Sequence, residues 1–166
     1  TEIYTPGEDP IPDASDESKE SAQRIAGILA DVPFVDALTT ILDPSLPLTV
    51  IEWDEWGDPL HDPEVYEYMK SYSPYENVTA QQYPAILAVT SLNDTRVLYV
   101  EPAKWIAKLR EVGRGGPFLL KTEMSAGHGG VSGRYAKWKQ TAFEYAWTLV
   151  TSGAVVVPSE CNDPRG

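Results

Sequence analysis

A chain of 166 residues with 42% hydrophobic and 23% charged side chains suits one domain with a single core and has the composition of a soluble globular protein. A formal net charge of −12 and the lack of a basic stripe argue against a nucleic-acid partner. One cysteine, Cys161, excludes an internal disulfide framework. Apolar runs such as Ile25 to Leu29 and Ala85 to Val89 are too short to span a bilayer, so no membrane partner is expected. No basic segment followed by an apolar one reads as a leader, and a cytoplasmic location is expected.

The N-terminal segment TEIYTPGEDPIPDASDES has three prolines, many acids and no periodicity, and is expected to be a disordered tail over residues 1–18. Residues 1–20 hold seven acids and one lysine, half of the net charge. The acidity is either a solvated surface or a set of groups that receives basic substrates, and net charge alone does not choose. A short helical stretch from Lys19 leads into IAGILADVPF, apolar almost throughout, as in a strand buried on both faces of a parallel sheet. In HDPEVYEYMK, Asp62 is placed to cap a helix, Pro63 suits its first turn, and Val65, Tyr68 and Met69 form an apolar stripe.

YPAILAVTSLND is a second strand ending in a polar turn. EPAKWIAKLREVG is a helix with Trp105, Ile106 and Leu109 on one face and Gly113 at its end. PFLLKTEM is a third strand, and SAGHGGVSG a glycine-rich loop. Ser132 is placed to cap a last helix bearing Tyr135, Trp138, Ala142, Trp147 and Val150, before an irregular tail over 153–166. Strand and helix alternate, which predicts an α/β domain over 19–152, with parallel strands near Ala26–Val32, Ala85–Val89 and Phe118–Thr122. The loops after those strands then share the carboxyl edge, where ligands and catalytic groups gather.

Two such loops hold Asp94 and His128. Asp then His, after consecutive strands, follows the late part of the Ser, Asp, His order of α/β-hydrolases. In that chemistry the His takes a proton from a nucleophile and returns it to a leaving group, while the Asp fixes the tautomer. On the residues alone a blander alternative stands beside this one: Asp in a turn is a turn former, and a His between glycines is a solvated loop residue. His61 and His128 have no metal-ligand spacing, and no metal or other cofactor is expected. Tyr66, Tyr68, Tyr72 and Tyr75 either line a cleft or pack at helical spacing. Cys161 has no His or Lys near it in sequence that would activate a thiol.

The strings ADVPFVDALTTILDPSLPLTV, EWGDPL, DPEVYEYMKSYSPYENV, SLNDTRV, EPAKWIAKLR and EMSAGHGGVSGRY together resemble the catalytic domain of the oligopeptidase B group in the prolyl oligopeptidase family, from about Ile25 to about Thr151. The resemblance implies the C-terminal portion of an α/β-hydrolase fold and a serine-type endopeptidase that cleaves peptides after Arg or Lys. It implies that Asp94 and His128 are the triad Asp and His. TVIEWDEWGDP resembles the family's pocket for the basic side chain, with Glu52 and Asp54 as substrate-binding acids; Asp54 stands where the family commonly has the longer Glu. Otherwise this acidic, Trp-rich loop is solvated or packed through Trp53 and Trp56.

The resemblance also implies a departure. A serine elbow should lie upstream of VPFVD, yet G-x-S-x-G occurs nowhere in the sequence; Ser21 has no elbow around it, and Ser132 in GGVSGR lacks the second glycine at the required place and follows the His loop. The chain alone is therefore expected to be inactive, with the upstream segment of the same peptidase as a partner beside peptide substrates. The alternative is an inactive remnant that acts as an acidic binding module. Without neighbouring strands, Ile25 to Val32 is expected to be an open edge that favours self-association.

Overall fold

The computed structural model describes residues 2–3 and 25–156. The acidic segment beyond Ile3, the stretch from Lys19, Ser21 and the tail holding Cys161 lie outside the described residues. The elements in chain order are β1 (Glu2–Ile3), β2 (Gly27–Asp31), α1 (Ala37–Ile41), α2 (Thr49–Trp56), α3 (Pro63–Tyr72), β3 (Gln82–Tyr83), β4 (Ala85–Ser91), α4 (Val100–Val112), β5 (Arg114–Gly115), β6 (Phe118–Glu123) and α5 (Arg134–Thr151).

The main sheet has the order β1-β2-β4-β6, and β2, β4 and β6 are parallel as the alternation predicts. All seven residues of the central strand β4 are buried, which accounts for its unbroken run AILAVTS. On one face Ile86 and Ala88 pack with Ile106 and Leu109 of α4 and with Phe118. A second cluster joins Ala37, Leu38 and Ile41 of α1 to Met69 of α3. A parallel pair, β3 with β5, forms a separate two-stranded ribbon.

Three local expectations change. The outer edge of β2 is not fully open: Glu2 and Ile3 pair antiparallel with Ile28 and Gly27. Asp62 caps α3 through Glu64 N at 2.9 Å, but Tyr68 is 69% exposed. On a helix Tyr68 lies about 100° from Met69, so the buried stripe is Val65, Tyr66 and Met69. The N-cap of α5 is Gly133, which leaves the Ser132 hydroxyl one position outside the capping site. The aromatic-rich α5 has no buried residue; Tyr135, Trp138 and Tyr145 are exposed. Its contact with the sheet runs along β2, where Trp147 and Thr151 close on Gly27.

A Cβ on Gly27 would stand 2.6 Å from Thr151 Cγ2 and 2.9 Å from the Trp147 ring, whereas one on Gly129 would meet nothing within 4 Å. Urea unfolding should therefore show Gly27→Ala destabilised by about 1–3 kcal/mol through overpacking. Gly129→Ala should stay within about 0.5 kcal/mol of the parent, as for an uncrowded surface position.

Candidate active site

The β4–β6 ladder runs from Ile86↔Phe118 to Ser91↔Glu123, so both strands end at the same level. The chains that leave them are then joined. Leu92 N donates to Glu123 O at 2.8 Å, and Asn93 N donates to Ala126 O at 3.2 Å. Asp94 follows directly and is 3% exposed. Its Oδ1 accepts from Arg96 N at 2.8 Å and Val97 N at 3.1 Å, the local turn that Asp favours. Its Oδ2 lies 2.8 Å from His128 Nδ1. The two sequence alternatives for Asp94 thus hold together: one carboxylate oxygen forms the turn and the other meets the imidazole.

His128 is presented by a narrow loop in which Gly127 and Gly130 form a bridge, with Gly130 N donating to Gly127 O at 2.9 Å. Gly130 has φ of 70°, a conformation that glycine adopts without the steric cost of a side chain. An ionised carboxylate only accepts hydrogen bonds, so its contact fixes the proton on Nδ1 and leaves the Nε2 lone pair available as a base. The His128 side chain is 38% exposed and lies between two cavities.

The larger cavity, about 340 Å³, is lined by His128, Glu52, Thr40, Arg96 and an apolar wall that includes Phe34, Leu48 and Trp56. Glu52 reaches it because TVIEWDEW is a helix and not the loop read from sequence. Thr49 Oγ1 donates to Thr40 O at 3.0 Å and Trp53 Nε1 to Ile41 O at 3.0 Å, which anchors α2 on α1. Asp54 is exposed and does not line the cavity. Two residues along a helix is a rotation of about 200°, so the two acids are not brought together.

Trp56 packs edge-on against Phe34, with ring centroids 5.8 Å apart. None of Tyr66, Tyr68, Tyr72 and Tyr75 lines either cavity; Tyr75 instead lies under the ammonium groups of Lys104 and Lys108, at 4.4 and 4.6 Å. Ser132 is exposed and makes no hydrogen bond to His128. No cluster of three or more His, Cys, Asp or Glu able to hold a metal occurs among the described residues.

Sequence reasoning passed over a buried acid behind the cavity wall. Glu101 is 1% exposed; Thr40 Oγ1 donates to its Oε1, and Asp36 N donates to its Oε2 at 3.0 Å. Asp36 is paired with Lys104. A Glu in the first turn of an apolar-faced helix gives no sign that it points inward. Burial pushes the Glu101 carboxyl above its ordinary value, against the lowering by its hydrogen bonds from Thr40 and Asp36.

A parallel sheet with flanking helices and an Asp–His pair at its carboxyl edge defines an α/β-hydrolase-type fold. Residues 20–154 match the prolyl oligopeptidase family, and the chain belongs to that family. It is 54% identical over 123 residues to Protease 2 of Moraxella lacunata, an alignment covering 74% of this chain and 18% of that one. It is 46% identical over 133 residues to Dipeptidyl aminopeptidase BI of Pseudoxanthomonas mexicana, covering 80% of this chain and 18% of the relative. Oligopeptidase B from Leishmania major superposes with a TM-score of 0.75 at 45% identity, over 80% of this chain and 18% of that structure. The chain thus spans less than a fifth of the length of these relatives.

The raised carboxyl of Glu101 has a consequence for stability. Its contribution is fully present below the ordinary carboxyl range and is lost as pH rises through the folded-state value. Glu101→Gln mimics the protonated acid. In urea unfolding, Glu101→Gln should gain stability relative to the parent as pH rises above the ordinary carboxyl range, and the gain should level off once the folded-state value is passed. A flat difference would contradict the assignment.

Proposed function

We propose that this chain is the C-terminal segment of a serine-type oligopeptidase that cleaves peptides after Arg or Lys, and that the nucleophilic serine comes from polypeptide outside these 166 residues. The supporting observation is the 2.8 Å contact of Asp94 with His128 beside a cavity that also holds Glu52. In the assembled enzyme the serine hydroxyl attacks the scissile carbonyl and His128 Nε2 takes its proton. The resulting imidazolium then gives that proton to the departing amine, and water repeats the cycle on the acyl-enzyme. Asp94 keeps the proton on Nδ1 and stabilises the imidazolium.

Glu52 receives the substrate's basic side chain, with charge-assisted hydrogen bonds worth about 1.5–3 kcal/mol. Asp54, on another side of α2, contributes only a longer-range negative field. The 166 residues contain no G-x-S-x-G elbow, so in this reading the nucleophile and the oxyanion donor beside it both come from the other polypeptide.

Complementation tests this. The chain is mixed with the Moraxella lacunata relative truncated before its matched segment, and hydrolysis of fluorogenic peptides is followed. Neither part should cleave alone. The mixture should cleave an Arg peptide, and His128→Ala in this chain should abolish that by about 10⁴-fold or more. Glu52→Gln should lower kcat/KM for the Arg peptide by about tenfold or more and leave a Leu peptide less affected. Cleavage by the mixture that does not depend on His128 would overturn the proposal. A mixture that assembles and binds Arg peptides without cleaving them would support the alternative, an acidic binding module.

A further inference from the structure

We propose that Glu123 is a positioning residue for His128, acting through Ser125 to hold the loop that presents the imidazole to Asp94; this rests on the reading of His128 as the base. The chain leaves the sheet at Glu123 and reaches His128 through Met124, Ser125, Ala126 and Gly127. Met124 and Ser125 are exposed, so burial does not order them. One carboxylate oxygen does: Glu123 Oε1 accepts from Ser125 N at 3.1 Å and from Ser125 Oγ at 2.7 Å. That hook turns the chain back so that the Ala126 carbonyl meets Asn93 N and the Ala126 side chain is buried.

Ala126 is two residues from His128, and Asn93 is next to Asp94. The two loops are therefore tied once at the strand ends through Leu92 and Glu123, and once next to the reacting pair. Beyond the second tie the loop reads Gly127, His128, Gly129, Gly130, which has the highest backbone entropy to lose on ordering. If the hook opens, more of that cost falls on the Asn93–Ala126 tie, the Gly127–Gly130 bridge and the Asp94–His128 bond. The two bonds from Ser125, hydroxyl first and backbone N–H second, also hold the Glu123 carboxyl below the usual carboxylate range, which keeps it an ionised acceptor.

The test reads His128 directly in the whole chain. In ¹⁵N-histidine-labelled protein at neutral pH, long-range ¹H–¹⁵N spectra report which ring nitrogen carries the proton and how fast that proton exchanges. The parent should show an Nδ1–H tautomer with a slowly exchanging proton, and Asp94→Asn should remove that signature. Glu123→Ala should speed exchange of the Nδ1 proton by at least tenfold and give a tautomer mixture. Glu123→Gln, whose amide oxygen still accepts from both Ser125 groups, should stay within twofold of the parent. A Glu123→Ala protein with the parent's tautomer and exchange rate would overturn the proposal. Should that variant not fold, Ser125→Ala decides: faster exchange supports the hook, and an unchanged rate contradicts it. A failure of His128 as base would appear in the complementation assay and leave this spectrum unchanged, so the two failures are distinguishable.

Discussion

The parallel pairing of β4 with β6 is the constraint on which the site depends. Because the ladder ends at Ser91↔Glu123, the turn holding Asp94 and the loop holding His128 leave the sheet side by side. A parallel strand pair needs a crossover connection, here α4, which buries Ile106 and Leu109 on the same sheet face as Ile86 and Ala88. Packing of α4 thus fixes the two strands, and the strands bring together an Asp and a His that are 34 residues apart in sequence. Two further backbone bonds between the departing loops reduce the freedom left to the side chains.

The three parallel strands were legible because each is a short, nearly continuous apolar run between turn signals. β4 and β6 extend past the expected ends, into Ser91 and Glu123, because ladder pairing continues through polar residues once the register is set. The helix α2 was not legible. TVIEWDEWGDP reads as an acidic loop before Gly57 and Pro59, and its helical form is held by tertiary hydrogen bonds from Thr49 and Trp53 to α1. The same blind spot separated Glu52 from Asp54: adjacent acids in a loop can converge on one ligand, whereas on a helix they diverge. Glu101 was invisible for a related reason, since a single buried acid leaves the surrounding amphipathic pattern intact.

The charges around His128 divide the site. The cavity on one side is lined by Glu52, Arg96 and apolar walls, and the cavity on the other by Asp31, Glu123, Glu144 and Lys137. Both adjoin the imidazole, which is therefore open from two directions. The exposed aromatic side chains of α5 lie on a helix that contacts the sheet along β2.

Chemical labelling of the isolated chain tests the central claim most directly, namely that these residues hold the base and its orienting acid without the nucleophile. The sequence has no G-x-S-x-G elbow and Ser132 makes no hydrogen bond to His128, so no activated serine hydroxyl should be present. After incubation with a serine-directed fluorophosphonate, intact mass spectrometry should show the unmodified chain. Stoichiometric addition to a serine of this chain, mapped by peptide sequencing to Ser132 or any other position, would contradict the account.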